Sequence, residues 1–528
     1  MERIHINNDS LEITMKAEVK AKANISGIIR VVTVGILVLL QISFIVAISF
    51  ILRSFSAFFY GFLQVLSIAI IISLVNDHKS PSYKISWICI VLALPVTGHI
   101  MYGLWGKEGS KKKIEDRVLA KMKHGTSFLV QDDFIMNEFI NKFKSKARLS
   151  KYMINEGFPL FKNNDVIYYS MGKEVFEDIF SSMAAAEKFI LINFFIVAEG
   201  DLSDRMFEIL SQKVEEGVEV KFLYDDFGAM IRTSKSFWSK LKEAGIKTQA
   251  FNPIHKYTRK LYMNYRNHQK IIVIDGNIGF TGGINLADEY ANLVTRFGVW
   301  KDSALKLTGD AVWGLTVTFL QMWEVASSKG YINYDKYRPT LDFPPNDAYC
   351  HVISDGPANN PRNPIENIYK QMIQYADKFL YITTPYLVLE DDMKQALITA
   401  VKSGIDVRII TPFIPDKKQV KILTNYNYGE LLKNGVRIYE YLEGFIHSKS
   451  IINEDCAIVG TINMDYRSFY LHYECGIWVS NSKVNEVIKE DFLNTFKVSK
   501  EITYAQWKQR PLWLKLYQPV LNLFSTLM

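Results

Sequence analysis

Hydrophobic residues are distributed very unevenly along the chain, and the densest apolar runs lie near its N-terminus. Residues 28–52, 55–75 and 85–106 are almost without charged side chains. A helix needs about 20 apolar residues to cross a bilayer, so each run is long enough for one span. A cleaved signal peptide would show a shorter stretch and a single run. The pattern therefore predicts membrane segments at 28–52, 55–75 and 85–106, following a basic tail at 1–27.

Basic residues flank this apolar region on both sides. Lysines precede the first run and follow the third, and each group favours a cytoplasmic location for its end of the region. Three full spans cannot place both ends on one side. Pro95 and Gly98 interrupt the third run, and such residues break or kink a helix. The distribution favours a cytoplasmic main body with one segment that does not span.

The polar and apolar pattern of the remaining chain repeats itself. Residues 186–192 (Ala-Glu-Lys-Phe-Ile-Leu-Ile) match residues 376–382 (Ala-Asp-Lys-Phe-Leu-Tyr-Ile). Each is a β-rich run, followed by an amphipathic helix pattern that ends near a glycine, Gly217 or Gly404, and then by another strand. Strand, helix and strand in each half predict βαβ units and an α/β sheet.

The same pattern suggests where the domains begin and end. Residues 107–165 are charged and mixed, which we interpret as a linker with helical pieces. A Pro-Pro-Asn-Asp sequence near residue 345 breaks the periodicity, so we predict one half at 166–345 and a second at 346–509. The final residues, 510–528, form an amphipathic segment. The sequence leaves open whether it lies on a membrane or packs on the core.

Composition narrows the possible classes of protein. Hydrophobic residues make up 48% of the chain and aromatic residues 13%, which excludes a disordered protein. The net charge of +7 suits an anionic membrane surface as well as nucleic acid. The four cysteines lack metal-ligand spacing, so we expect neither a disulfide framework nor a zinc site. They are Cys89, Cys350, Cys456 and Cys475.

One short motif occurs twice, once in each predicted half. His268 and Lys270 are followed by Asp275 and then by a Gly-Gly-Ile-Asn turn that ends at Asn285. His447 and Lys449 are followed by Glu454 and by a Gly-Thr-Ile-Asn turn that ends at Asn463. A single His-x-Lys is usually without function, but two copies with the same sequel are far less expected by chance. We therefore predict that both halves contribute to one shared site.

These side chains suit the transfer of a phosphoryl group. A phosphodiester repels nucleophiles, so catalysis needs cations on the nonbridging oxygens, an in-line nucleophile and an acid for the leaving oxygen. Lys270 and Lys449 would supply the cations, and Asn285 and Asn463 further hydrogen bonds. One histidine would attack phosphorus and the other would move the proton. Because the lysines supply the charge, we expect no metal and no other cofactor.

The carboxylates differ between the two motifs. Asp275 would orient an imidazole through its second ring nitrogen, as a carboxylate does in a catalytic triad. The equivalent position of the second motif is Glu454, followed by Asp455, and the stretch from histidine to glycine is one residue shorter. Either Glu454 fills the role with an extra methylene, or a shifted loop presents Asp455. A misplaced orienting group would lower the rate.

The two motifs resemble the signature of the phospholipase D superfamily, which is His-x-Lys-x4-Asp twice in each active unit. The flanking residues are most similar to bacterial cardiolipin synthases, and the resemblance extends over nearly the whole chain past residue 55. The residues that carry it are 265–270, 279–290, 384–386 and 463–469. The resemblance implies an α/β fold of two pseudo-symmetric sandwich halves that share one active site, preceded by transmembrane helices.

The resemblance also implies a reaction and a place in the cell. Two phosphatidylglycerols would give cardiolipin and glycerol through a phosphohistidine, with His268 as nucleophile and His447 as acid and base, although these roles could be reversed. The expected partners are phosphatidylglycerol, other anionic phospholipids and the bacterial cell membrane, as a multi-pass protein, and not nucleic acid. The alternatives are a hydrolase that releases phosphatidic acid and a degenerate lipid-binding protein without turnover. The oligomeric state stays open.

Overall fold

The structure, a computed structural model, describes residues 39, 43, 56–106, 112–253, 264–327, 330–360 and 362–527. They fall into two compact units. The N-terminal unit comprises residues up to 112 together with 230–232 and 526–528, and the sheet unit comprises residues 113–229 and 233–525.

The helices, in chain order, are α1 (Ser56–Val75), α2 (Pro81–Ala93), α3 (Thr97–Met101), α4 (Lys112–Thr126), α5 (Asp133–Lys142), α6 (Lys144–Asn155), α7 (Gly172–Ala184), α8 (Asp201–Glu215), α9 (Asp226–Ala229), α10 (Lys235–Glu243), α11 (Val312–Ala326), α12 (Pro364–Gln374), α13 (Asp391–Lys402), α14 (Lys418–Lys433), α15 (Tyr466–Tyr470), α16 (Val484–Lys497), α17 (Tyr504–Lys508) and α18 (Leu512–Leu523).

The strands are β1 (Leu160–Phe161), β2 (Asn164–Tyr169), β3 (Phe189–Phe194), β4 (Glu219–Asp225), β5 (Lys247–Phe251), β6 (Arg266–Asn267), β7 (Ile271–Ile274), β8 (Ile278–Gly282), β9 (Val299–Lys301), β10 (Ala304–Gly309), β11 (Tyr349–Asp355), β12 (Phe379–Thr383), β13 (Leu387–Val388), β14 (Asp406–Pro412), β15 (Arg437–Tyr441), β16 (Gly444–Ile446), β17 (Ser450–Asn453), β18 (Cys456–Gly460), β19 (Met464–Asp465), β20 (His472–Ser480) and β21 (Ser499–Ile502).

Helix α1 of the N-terminal unit has the length and composition of a membrane span. Among the described residues it is the one helix long and apolar enough to cross a bilayer. Phe58, Phe62 and Val65 are all more than half exposed, as expected for side chains that contact lipid. The prediction of a span at 55–75 is therefore supported, whereas the run 28–52 lies almost wholly outside the described residues.

The predicted membrane segment at 85–106 is broken where Pro95 and Gly98 interrupt it, as the sequence indicated. Helix α2 begins at Pro81 and ends at Ala93, and α3 with a π-helical turn at Tyr102–Gly106 follows a break around Pro95. Proline has no N–H, and it disfavours helical backbone at the preceding residue. The 13 residues of α2 reach about 20 Å, which is too short for a hydrocarbon core of about 30 Å.

The sheet unit contains two sheets with matching strand orders. Within the described residues the first sheet runs β2-β10-β8-β7-β3-β4-β5, and the second runs β1-β11-β20-β18-β17-β12-β14-β15-β21. Strands β3, β4 and β5 are parallel, as are their counterparts β12, β14 and β15, and the other pairs along the two sheets are antiparallel. Strand β8 contacts β18 and β20, and β10 contacts β18, so the two halves meet at equivalent strands.

The predicted repeat is confirmed element by element. In each half a buried strand (β3 or β12), a helix (α8 or α13) and a parallel strand (β4 or β14) follow one another. Gly217 and Gly404 each come one residue beyond the C-cap of these helices, after Glu216 and Ser403, with φ values of +91° and +94°, a conformation that favours glycine. Each half has a large apolar core of its own.

The interpretation of residues 107–165 as a linker is wrong for the described part, from residue 112 onward. Helices α5 and α6 bury Phe139, Leu149 and Met153 in the same core as Trp478 of strand β20. Strand β1 joins the edge of the second sheet by pairing with β11. The high charge of this region belongs to its outer faces, and its apolar residues are part of the sheet unit.

The packing of α5 can be tested with two phenylalanines of the same helix. Phe139 is completely buried, whereas Phe134 is 76% exposed. Truncating a buried phenylalanine typically costs about 3–5 kcal/mol, so Phe139→Ala should lower the melting temperature of the purified protein by several degrees. Phe134→Ala should leave it unchanged. Equal melting temperatures for the two variants would contradict this packing.

Candidate active site

The first motif is held in place by a strand from the other half. Strand β6 runs parallel to the start of β20, with Arg266 beside His472 and Asn267 beside Tyr473. The backbone N–H of His268 continues this ladder and donates to the carbonyl of Tyr473 at 2.9 Å. His268 is 6% exposed. Its position is therefore fixed by backbone hydrogen bonds between the two halves.

The second motif is held in the equivalent way, by a strand of the first half. Strand β16 runs parallel to β9 of the first half. The backbone N–H of His447 donates to the carbonyl of Lys301 at 2.7 Å, and His447 is also 6% exposed. Each histidine therefore follows a short strand that is added to the opposite half.

Each imidazole is hydrogen-bonded to a carboxylate from the opposite half. His268 Nδ1 lies 2.9 and 3.0 Å from the two carboxylate oxygens of Glu474, and His447 Nδ1 lies 2.6 Å from Asp302 Oδ2. Both carboxylates are completely buried. An Nδ1–H that donates to a carboxylate fixes the tautomer and leaves Nε2 as the reactive nitrogen. The two His–carboxylate pairs cross between the halves, and we call them the crossed pairs.

Sequence reasoning missed Asp302 and did not assign an orienting role to Glu474. The sequence does contain a signal for these two carboxylates, and it lies in the repeat. The motif histidines donate their backbone N–H groups to the carbonyls of Lys301 and Tyr473. Asp302 and Glu474 are the residues that directly follow these two. Each carboxylate is therefore one residue beyond the cross-half hydrogen bond. Two carboxylates at matching positions of the repeat were a usable clue, but their partners lie 145 and 206 residues away in the chain.

The prediction that Asp275 orients an imidazole is wrong. Its carboxylate accepts three backbone N–H groups of residues 187–189, all at 2.8 Å, and so anchors the β7–β8 turn to the start of β3. Glu454 accepts the N–H groups of residues 377–379 at 2.6–3.5 Å. The final acidic residue of each motif is thus a structural support and not a partner of the histidine.

The difference between the two acidic residues follows from the length of their hairpins. Three residues link β7 to β8, and Asp275 and Gly276 both have positive φ, 54° and 72°. Only Glu454 and Asp455 link β17 to β18, so the longer side chain of glutamate reaches the equivalent N–H groups from a shorter turn. Asp455 instead forms an ion pair with Lys146 at 3.1 Å. The substitution therefore leaves the orientation of the imidazoles unaffected.

The two motif lysines lie buried beside their histidines. The Lys270 ammonium donates to the carbonyl of His268 at 2.5 Å, and that of Lys449 donates to the carbonyl of His447. Burial lowers the pKa of Lys270 to about 7 and that of Lys449 to about 8, although Glu474 and Asp302 oppose the effect. Two desolvated cations in one place favour the binding of an anion.

The histidines are neutral near pH 7 in the unliganded site. Burial, followed by the charges of Lys270 and Lys449, holds the pKa of His268 well below its usual value. Burial and Lys449 lower the pKa of His447 to about 4, against the opposing effect of Asp302. A neutral imidazole with its Nδ1–H bound to a carboxylate has a free electron pair on Nε2, as a nucleophile or a base requires.

The two asparagines occupy different surroundings. Asn285 accepts the N–H of Ile196 at 2.9 Å and donates to the Tyr290 hydroxyl at 2.7 Å, so its amide is engaged in holding loops of the first half. The side-chain oxygen of Asn463 is buried without a hydrogen-bond partner among the described residues. The suggestion that both bind substrate stays a prediction.

A third imidazole, that of His472, lies next to the first crossed pair. Its ring centroid is 5.3 Å from that of His268, and its Nδ1 is 3.6 Å from Glu474. The ligand atoms of His268, His472 and Glu474 all lie within 4.8 Å of one another, which is close enough for a metal ion. The positive charges of Lys270 and Lys449 lower the pKa of His268, so both lysines act electrostatically on this cluster. Their charges favour the binding of an anion at the cluster over that of a metal cation.

Comparison with known proteins agrees with this geometry. The family described as "Cardiolipin synthase, PLD-like domain" matches residues 179–323 and 369–496, one match in each half. A second family, described as "Phospholipase_D-nuclease N-terminal", matches residues 65–107, which include the C-terminal half of α1 and all of α2 and α3.

Individual proteins are similar over most of the chain. A cardiolipin synthase of Alkalihalophilus pseudofirmus is 34% identical over 473 residues, which cover 88% of this chain and 92% of the relative. One from Staphylococcus aureus is 32% identical and covers 86% of this chain and 92% of its own. The crystal structure of phosphatidylserine synthase from Haemophilus influenzae covers 73% of this chain and all of its own, with a TM-score of 0.56 and 15% identity. That structure supports the fold alone.

The crossed pairs predict different effects for two classes of carboxylate. Glu474→Gln and Asp302→Asn would remove the charge that orients each imidazole, and each should lower kcat by about 10²–10⁴-fold without lowering the melting temperature. Asp275→Asn should instead lower the melting temperature and leave kcat of the folded protein within about threefold. Circular dichroism melting and steady-state assays of the same preparations measure both quantities. A large loss of kcat in folded Asp275→Asn would contradict this division.

The lowered lysine pKa values predict how the binding of an anion depends on pH. Tungstate mimics a phosphate group and keeps its charge between pH 6 and 9. In the empty site Lys270 and Lys449 lose their protons as the pH rises through about 7 and 8, so attraction is strongest near pH 6 and weakens as the pH rises. The Kd of tungstate, measured by calorimetry, should rise at least about tenfold from pH 6 to 9. Lys449→Arg, which stays charged, should flatten the rise, and a Kd independent of pH would contradict the assignment.

Proposed function

The chain belongs to the cardiolipin synthases of the phospholipase D superfamily, and we propose that it joins two phosphatidylglycerol molecules through a covalent intermediate on His268. The observation that carries this proposal is the crossed pairs, because they supply two oriented imidazoles of one site from two halves. Two buried lysines beside them provide the positive charge that a phosphodiester needs.

In the first step His268 Nε2 attacks the phosphorus of the donor lipid. The P–N bond forms while the bond from phosphorus to the glycerol oxygen breaks. His447, as an imidazolium, gives its proton to that oxygen, and glycerol leaves. Glu474 stabilises the positive charge that develops on the His268 ring. Lys270 and Lys449 hold the nonbridging oxygens, on which negative charge is concentrated in the transition state.

In the second step the roles reverse. Neutral His447 takes the proton from the terminal hydroxyl of a second phosphatidylglycerol, and that oxygen attacks the phosphorus. The P–N bond breaks, cardiolipin is released and His268 returns to its neutral state. The net reaction consumes two phosphatidylglycerols and yields cardiolipin and glycerol, with no proton gained or lost by the enzyme. The chain's own groups account for every step.

The first step requires a protonated His447, although its pKa in the empty site is lowered to about 4. Burial and the positive charge of Lys449 cause that lowering. The bound phosphodiester brings a negative charge into the same place, which offsets the effect of the lysine and favours the imidazolium. Substrate binding and the charging of the acid are thereby coupled.

We propose that α1 anchors the protein in the bacterial cell membrane, where its lipid substrates are found. With 28–52 as a second span, both ends of the apolar region would be cytoplasmic, which matches the flanking lysines. That multi-pass arrangement stays a prediction.

At the C-terminus, α18 exposes Leu512, Trp513 and Leu516, as a helix lying in a membrane interface does. An interfacial position of 510–528 remains a prediction as well.

The alternative products are phosphatidic acid, from a hydrolase, and none, from a lipid-binding protein without turnover. The similarity to cardiolipin synthases over most of the chain favours the synthase over both. The two complete histidine–carboxylate pairs argue in addition against a protein without turnover. In vesicles of phosphatidylglycerol the protein should therefore form cardiolipin and glycerol in equal amounts.

The roles of the two histidines can be separated with an activated donor. The 4-nitrophenyl ester of phosphatidic acid has a leaving group that needs no proton. His447→Ala should release one equivalent of nitrophenolate rapidly, retain the phosphatidyl group on His268 and then stop, since the second step lacks its base. His268→Ala should give no burst. Stopped-flow absorbance and mass spectrometry of the adduct measure these outcomes.

The opposite pattern, with a burst from His268→Ala alone, would reverse the two assignments. Turnover of phosphatidylglycerol by either alanine variant at the rate of the unaltered protein would contradict the shared site. Release of phosphatidic acid with no cardiolipin would establish a hydrolase. Melting curves of both variants serve as the control for folding.

A further inference from the structure

The loop between β14 and α14, residues 413–417, combines an exposed aromatic side chain with an exposed cation. Its sequence is Phe-Ile-Pro-Asp-Lys. Phe413 is 48% exposed, and Lys417, the last residue before α14, is exposed as well. An apolar group beside a cation is the combination that recognises an anionic lipid at a membrane surface.

The position of Lys417 is defined by Tyr386. The ammonium lies 4.8 Å from the centroid of the Tyr386 ring, and the hydroxyl of that tyrosine donates to Asp416 at 2.6 Å. Tyr386 itself follows Thr384, whose hydroxyl accepts the N–H of Met464, the residue after Asn463. A short series of contacts thus connects the loop to the turn of the second motif.

The charge of Lys417 reaches the catalytic centre. After burial and the charges of Lys270, Lys449 and His447, it is a further cause of the lowered pKa of His268. Among the residues that the structure describes, no carboxylate lies within ion-pair distance of the Lys417 ammonium. The loop therefore presents, within electrostatic reach of His268, a cation that contacts the Tyr386 ring and has no role in the two-step mechanism.

The first half has no such cation at the equivalent place. Strand β4, the counterpart of β14, leads directly into α9, whose sequence is Asp-Phe-Gly-Ala. Phe227 of that helix is 38% exposed, so an exposed phenylalanine occurs after both strands. Within five residues of the end of the strand, a lysine occurs only after β14. The exposed phenylalanine is thus duplicated, while a cation this close to the end of the strand occurs in one half.

This asymmetry corresponds to the chemistry of the two lipids. The donor phosphate is held by Lys270 and Lys449, but the acceptor brings a second phosphate, one glycerol unit away from the hydroxyl that attacks. We propose that Lys417 binds the phosphate of the acceptor phosphatidylglycerol and so favours this lipid over uncharged alcohols and water. The inference rests on the proposed synthase function and adds a subsite to it.

The test compares an anionic acceptor with an uncharged one in the full-length protein. Formation of cardiolipin requires the second lipid, whereas exchange of labelled glycerol into phosphatidylglycerol uses the same intermediate without it. Lys417→Gln should raise the apparent KM for phosphatidylglycerol in cardiolipin formation about fivefold, since one lysine near a membrane contributes about 1 kcal/mol. Glycerol exchange should stay within twofold. Lys417→Arg should retain both activities.

Lys418→Gln is the matched control, because it removes the neighbouring exposed lysine and changes the net charge equally. It should leave the ratio of the two activities unchanged. Equal losses of both activities in Lys417→Gln would assign the lysine to the donor and overturn the inference, and so would no change in either. If the unaltered protein exchanges glycerol but forms no cardiolipin, the proposed synthase function is wrong. That result is distinct from the effects of Lys417→Gln, and it would overturn the inference as well.

Discussion

The structure depends on one exchange of hydrogen bonds between its halves. Each motif histidine donates its backbone N–H to the opposite half and, through Nδ1, binds the carboxylate of the next residue there. Because the backbone and the side chain are held by neighbouring residues, a shift of either half would misplace both imidazoles together. Neither half contains a complete site. Correct docking of the two sheets and correct orientation of the catalytic groups are therefore the same event.

The sequence was informative wherever the relevant contacts are local. The repeat, the βαβ units and the His-x-Lys motifs follow from spacing within a few dozen residues, and all are present as predicted. The orienting carboxylates could not be found in this way, because Asp302 and Glu474 meet their histidines only after the halves pair. Proximity in sequence instead pointed to Asp275, which supports a turn. The core residues of α5 were hidden for a related reason, since their charged outer face dominated the composition.

Burial accounts for most of the electrostatic character of the site. Two ammonium groups and two imidazoles lie together out of water, and desolvation lowers the proton affinity of all four. The empty site therefore carries less positive charge than its composition suggests. The negative charge of a bound phosphodiester raises the proton affinity of these groups again. The lysines are therefore fully protonated when the substrate is present. Because these groups are already buried in the folded protein, the cost of removing them from water is met during folding and not when the substrate binds.

The near-equivalence of the halves has a consequence for how such a chain could arise. A twofold homodimer of a single half would already contain both crossed pairs, since each subunit would contribute one histidine and one carboxylate to its partner. Joining two copies in one polypeptide frees them from identical sequences. The glutamate that adapts to a shorter hairpin, and the lysine found after only one of two equivalent strands, are differences that a symmetric ancestor could not have kept. Covalent fusion thus permits a centre with two distinguishable sides, as a reaction between a donor and an acceptor requires.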